Sequence, residues 1–369
     1  MEQAAKSSEM TALSIQEDKK NRRLKTLDNY HFTGSHASHI GAIQSSLAYY
    51  DIETSASSVF GLTAHAFLMV VDSGMSNPNV GLPEETCFQL ASNLGVRIDG
   101  VSRIVTGDEL PALQVEAWNR IRDALDNGQP AFAKELDLGN ETSIIYAYGE
   151  TGYYKYSWHA GDGHEGHEDE IPWTMLGRNY CPCRECRHRP LKPSTDLYLG
   201  MHTDGAFLSY HWASRTNEEK GTRKAFREAL DFALQFNSQK KYTWGKGTFF
   251  TGTDAYDVWI DSVRTASIHG FYMGYFVDVW QESRHHAAQF LQEMQLAIPE
   301  LQAELGEAAA TYAAISAAYR RLNDLFPWMQ PREPIADPFR RKDAINLLTE
   351  VKELEKIAHG QLERIFAKL

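Results

Sequence analysis

Two histidines, His36 and His39, stand three residues apart in the string GSHASHIGAIQSSLAYY, and a third, His65, opens the apolar run AHAFLMVVD. Side chains three apart share one face of a helix, so this pair can point at one ion or one substrate. Neutral imidazole serves equally as a metal ligand and as a general base. The chain carries 14 histidines, so a structural or solvent-facing pair is the competing reading.

A second constellation is Cys181-x-Cys183-x-x-Cys186-x-His188, which holds three of the four cysteines of the chain. Three sulfurs and one ring nitrogen match the ligand set of a structural zinc, and such clustering suits metal or redox chemistry better than a secreted disulfide framework. The spacing is tighter than in common zinc fingers, which leaves a disulfide, a redox switch or plain free thiols open. The adjacent glycine-rich run WHAGDGHEGHEDE supplies His159, Asp162, His164 and His167, of which His164 or His167 can replace His188 as fourth ligand.

The elements that must hold these groups follow from periodicity. Ile40, Ile43 and Leu47 behind a small polar lead-in predict a helix over residues 38 to 50, and AHAFLMVVD reads as a buried strand. A helix from Pro83 to Leu94 and a strand at VRIDGVSRIV come next. The spacing of Val115, Trp118, Ile121 and Leu125 gives another helix, closed by Asn127 and Gly128. PAFAKELDL, SIIYAYGETGYYKYSW and DLYLGM are aromatic and β-branched runs between turns, expected to pair as an antiparallel sheet. Beyond residue 214 the period is near 3.6 throughout, with helices expected over 217 to 237, 253 to 266, 271 to 296, 299 to 325 and 338 to 368. Leu301, Leu305, Ala308, Tyr312, Ile315, Tyr319 and Leu322 form a heptad seam. The last helix presents Leu347, Val351, Leu354, Ala358, Leu362 and Ile365, and the break FPWMQPREPIADP lets the two close as an antiparallel hairpin.

Composition narrows the function. At 369 residues, with 43% apolar and 23% charged side chains, two globular domains are expected. A net charge of -12 disfavours nucleic acid and anionic lipid as partners. The absence of a signal-length apolar core near Met1, and of any run near the ~20 apolar residues of a membrane span, predicts a cytoplasmic chain. No Walker loop, dinucleotide fingerprint, kinase set or GxSxG elbow occurs in a fitting context.

The string GSHASHIGAIQSSLAYYDIETSASSVFGLTAHAF, with LASNLGVRIDGV, GQPAFAKELDL, SIIYAYGETGYYKYS, IPWTMLG, FTGTDAYDVWIDSV and ESRHHAAQFL, resembles a prokaryotic family similar to the butirosin biosynthesis protein H N-terminal domain. That resemblance implies an α+β fold: a papain-like domain with an antiparallel sheet over residues 29–213, after a polar tail at 1–28, and an all-α domain over 214–369. It also implies acyl transfer or amide chemistry on a small-molecule or carrier-bound acyl substrate. In the family a cysteine begins the helix where this chain has His39. An imidazole cannot act as that thiolate. In place of the relatives' strand histidine, the stretch KELDLGNETSII offers Glu135, Asp137 and Glu141. Three readings then stand open: Ser38 as nucleophile with His36 or His39 as base, a divalent metal on His36, His39 and His65 with Glu141, or a pocket that binds a ligand without turning it over. A homo-oligomer is left open as well.

Overall fold

The structure is a computed structural model that describes residues 23–136, 141–156, 169–178, 180–183, 206–216, 221–245 and 247–369. In chain order these residues form β1 (Lys25–Thr26), α1 (Ser38–Tyr49), α2 (Ala56–Leu62), β2 (Val70–Asp72), α3 (Glu84–Leu90), β3 (Val96–Val105), α4 (Leu110–Asp126), β4 (Ala131–Lys134), β5 (Thr142–Tyr148), β6 (Gly152–Tyr156), β7 (Ile171–Pro172) and β8 (Ala206–Arg215). There follow α5 (Thr222–Ser238), β9 (Lys241–Trp244), β10 (Gly247–Thr251), α6 (Thr253–Arg264), α7 (Gly270–Ala297), α8 (Gln302–Leu325) and α9 (Pro338–Phe366). The fold is α+β, with an antiparallel sheet and a helical C-terminal region.

The residues divide into two compact units, one built from 1–34 and 99–214 and the other from 35–98 and 215–369. The sequence places boundaries at 28/29 and 213/214; residues 35–98 instead share a unit with the C-terminal helices. The reason is burial. α1 and α2 are short, almost wholly buried helices, and α2 lies so close on α7 that a Cβ on Gly61 would meet the Phe290 ring at 2.2 Å.

In the first unit the strand order is β3-β8-β4-β5-β6-β7, with β1 added to β5. β4, β5 and β6 pair antiparallel as their composition predicts, with Phe132 opposite Ile144 and Tyr148 opposite Tyr153. The third run, DLYLGM, lies outside the described residues, and the other neighbour of β4 is β8. α4 covers this sheet through Trp118, whose ring lies 5.1 Å from Tyr153 and 5.9 Å from Tyr148. The Gly128 N–H closes α4 on Leu125 O at 3.0 Å, with Gly128 at φ 69°, as its C-cap pattern foretold.

His211 of β8 sits in this core, stacked on Phe132 at 5.5 Å, and burial lowers its pKa from 6.5 to about 3. The unfolded imidazole takes up a proton below its ordinary pKa while the folded one stays neutral until about 3. Stability from this group is therefore whole above pH 6.5 and falls as pH drops through that window. At pH 5 the loss is about 2 kcal/mol. Urea unfolding of the parent and of His211→Gln at pH 7 and pH 5 should show a smaller acid loss in the variant, and equal losses would contradict the assignment.

In the second unit α7, α8 and α9 run antiparallel. Asp278 meets Asn323 and Gln281 meets Ser316, while Arg321 pairs with Glu350, Arg364 with Glu307 and Lys368 with Glu304. Every residue of the predicted α8 seam is buried. On α9 the buried stripe is Ala344, Leu348, Val351, Glu355, Ala358, Leu362 and Ile365, so Leu348 and the charged Glu355 occupy the places expected for Leu347 and Leu354. The region is helical apart from the β9–β10 hairpin, which joins β2 in a three-stranded sheet of order β2-β10-β9. No helix among the described residues is long and apolar enough to cross a membrane.

The run AHAFLMVVD is not one strand. Ala64 takes a left-handed φ of 67°, His65–Phe67 form a 3-10 turn, and only Val70–Asp72 pair as β2. Arg284 Nη1 donates to Ala66 O at 3.1 Å and to Leu68 O at 2.7 Å, so these carbonyls are satisfied by a side chain and need no ladder.

Candidate metal centre

His39 is the second residue of α1. That helix has no side-chain cap of its own, and Glu282 of α7 supplies the missing acceptor: its Oε2 accepts from Ala37 N at 3.2 Å and from Ser35 Oγ at 3.1 Å. A carboxylate at this end complements the helix dipole. Burial raises the Glu282 carboxyl above the usual range, against the opposing effects of His36 and these N–H donors.

The left-handed turn at Ala64 delivers His65, and α3 delivers Cys87. One potential ligand atom from each of His39, His65 and Cys87 lies within 4.8 Å of the others, and all three residues are fully buried. This group could hold a metal ion. The two imidazole centroids are 4.7 Å apart in an edge-on arrangement at 75°. Phe60 at 5.5 Å and Trp280 at 6.2 Å flank His65, and Phe88 lies 6.5 Å from His39. Glu84, one turn before Cys87 on α3, reaches His39 Nδ1 at 3.9 Å.

Both ring nitrogens of His65 are buried with no hydrogen-bond partner. Burying such polar atoms without partners costs about 1–3 kcal/mol, which an ion would offset. Burial lowers the His65 pKa to about 3, with the charges of Arg284 and His286 acting in the same direction. Burial pushes the Cys87 thiol up, and Glu84 adds to this. An ion-free pocket is therefore a neutral imidazole beside a protonated thiol, and metal binding would release the thiol proton. Tetrahedral zinc holds its ligand atoms roughly 3.3–3.8 Å apart, so the group needs to contract by only about 1 Å.

The sequence-derived residues divide accordingly. His39 and His65 come together with Cys87 in one group that could hold an ion, a group that does not include His36 or Glu141. His36 is half-buried and interacts electrostatically with Asp278 and Glu282 of α7, while its carbonyl accepts from Asn79 Nδ2 at 3.0 Å. Ser38, the first residue of α1, is fully buried. Glu141 belongs to the other compact unit. Cys181 and Cys183 are buried together in the first unit, at 2% and 1% exposure. Cys186 and His188, with His159, Asp162, His164, His167 and Asp137, lie outside the described residues.

Cys87 and Glu84 escaped the sequence reading. Their signal was present: the one cysteine apart from the 181–186 cluster stands three residues after a glutamate within a segment already read as helix.

With this geometry in place, comparison with known proteins adds no name. No protein-family model matches the chain, and no curated protein matches it.

Proposed function

We propose that the second unit binds one zinc-class divalent ion on His39, His65 and Cys87, and that the protein uses it in acyl-transfer or amide chemistry on a small-molecule or carrier-bound acyl substrate. The observation that carries the metal half is the pair of unpartnered, buried His65 nitrogens beside a thiol and a second imidazole. Two imidazoles and a thiolate suit zinc in a dry, aromatic-walled site. Glu84 Oε1, 3.9 Å from His39 Nδ1, would serve as the outer carboxylate that fixes this ring if it closed on that nitrogen. The acyl half rests on the motif resemblance to the butirosin biosynthesis protein H family. Its papain-like ancestry puts His39 in the cysteine's place at the head of α1. When bound, the ion would supply Lewis-acid polarisation of a carbonyl.

A structural zinc on Cys181, Cys183, Cys186 and His188 belongs to the same proposal, supported by the two buried thiols in one cluster.

Metal analysis of the dialysed protein tests both centres. Two equivalents are expected, one lost in His65→Ala and in Cys87→Ala, the other in Cys183→Ser. A metal-free parent overturns both, and loss confined to Cys183→Ser overturns the histidine centre. Transfer or hydrolysis with a panel of acyl thioesters and N-acyl amines should disappear with a chelator and in His65→Ala.

Cysteine chemistry is a second reading, because the fold does bring a thiol beside two imidazoles. A protonated thiol beside a neutral imidazole is not the ion pair such a nucleophile requires. A covalent acyl adduct on Cys87, detected by mass spectrometry in the metal-free protein, would favour this reading over the metal.

A further inference from the structure

A cavity of about 290 Å³ lies within the second unit, bounded by the start of α6, the turn after α5 and the middle of α8 and α9. Two deeply buried polar side chains line it with unused capacity. Glu355, 8% exposed, spends only Oε1 on protein partners, accepting from Arg284 Nε at 2.5 Å and from Tyr256 at 3.0 Å. Its Oε2 accepts no hydrogen bond from the described residues. Tyr312, 1% exposed, packs its ring against Phe67 at 5.5 Å, and its hydroxyl has no hydrogen-bond partner among the described residues. These two groups line the cavity, where a ligand or water can satisfy them.

The start of α6 adds groups of a different character to the lining. α6 begins after Gly252 with no side-chain cap, and Gly252, Thr253 and Asp254 line the cavity beside Lys240. The Thr253 and Asp254 N–H groups, which have no side-chain cap, and the exposed Lys240 favour a carboxylate there, against the charge of Asp254 in the same turn. Lys240 and Lys356 balance Asp254 and Glu355, so the lining carries no net charge to favour a simple cation or anion. Charges of both signs inside a neutral lining match a ligand that carries both signs and sums to zero. The volume is at the small end for ligand pockets, which suits a molecule of amino-acid size.

We propose that this cavity is a binding site for a small zwitterion carrying an ammonium and a carboxylate, the ammonium on Glu355 Oε2 and the Tyr312 hydroxyl, the carboxylate at Lys240 and the first turn of α6. The site is separate from the metal centre and does not depend on it.

Isothermal titration of the full-length protein with each free proteinogenic L-amino acid tests the assignment. At least one should bind with Kd below about 1 mM. Its amide, which lacks the carboxylate, and its 2-hydroxy analogue, which lacks the ammonium, should each bind at least about tenfold more weakly, as expected for loss of a charged hydrogen bond. Tyr312→Phe keeps the ring packing and removes only the unpaired hydroxyl, so it should weaken binding about fivefold while leaving the unliganded Tm unchanged. Lys240→Ala should weaken binding of the amino acid and leave binding of its amide unaltered. Failure of every amino acid to bind overturns the site. Equal affinity for the amide or the 2-hydroxy analogue overturns the zwitterion, and an unaltered Tyr312→Phe overturns the placement of the ammonium.

Discussion

Replacing Arg284 by methionine is expected to cost the second unit about 3–5 kcal/mol, because the change strands a buried carboxylate. Arg284 is fully buried and its guanidinium joins three elements. Nε donates to Glu355 of α9, Nη1 donates to the two carbonyls that bracket Phe67, and the guanidinium carbon lies 5.5 Å from the Trp280 ring. Removing the cation leaves Glu355 with Tyr256 as its only described protein donor and leaves Ala66 O and Leu68 O without this donor. Glu355→Leu should be similarly harmful, since it leaves the guanidinium unpaired at the same depth. The double variant Arg284→Met with Glu355→Leu should recover about half of the loss. A buried pair exchanged for apolar groups is often near neutral, but the two carbonyls remain unsatisfied. Guanidinium unfolding followed by near-UV circular dichroism measures each value. A loss below about 1 kcal/mol in Arg284→Met would show that the pair and its carbonyl contacts are energetically idle.

The same ion pair shows where the sequence was readable and where it was not. Heptad spacing exposed the α8 seam completely, because a helix facing other helices writes its buried face in apolar residues. On α9 the rule failed at one position: Glu355 is buried because Arg284, 71 residues away, neutralises it, and no local pattern records that partner. AHAFLMVVD reads as a strand because apolar runs of this length usually are. Its 3-10 turn depends on that same distant guanidinium. The β9–β10 hairpin was missed for another reason: KYTWGKGTFFT is a short segment flanked by strong helical periods, and its third strand, β2, comes from far away in the chain. At the site, two of the three candidate ligands were legible because both histidines lie in the motif run. Cys87 was not, because its spacing from Glu84 marks a shared helix face but says nothing of the two histidines brought beside it. The fold alone brings it to His65.

Zinc removal should lower the melting temperature of the second unit by roughly 8–16 °C. An ion present at a thousandfold its Kd stabilises the folded state by about 4 kcal/mol, and for a unit of this size each 1 kcal/mol shifts Tm by about 2–4 °C. The shift belongs to the second unit because of where the candidate ligands sit: His39 is near the start of α1, His65 occupies the turn held by Arg284, and Cys87 lies on α3, so one ion would tie together three segments that no disulfide joins among the described residues. Scanning calorimetry with a strong chelator should show the fall, and added zinc should reverse it. His65→Ala carries its own packing cost, so the informative quantity is the chelator shift within the variant, which should vanish. A second zinc at the Cys181 cluster would stabilise the other unit and should respond to chelator in His65→Ala as in the parent. An undiminished shift of the second-unit transition in His65→Ala would move the stabilising ion away from the histidines. The buried imidazole would then be a packing group set between Phe60 and Trp280, kept neutral by its surroundings and unconnected with any metal.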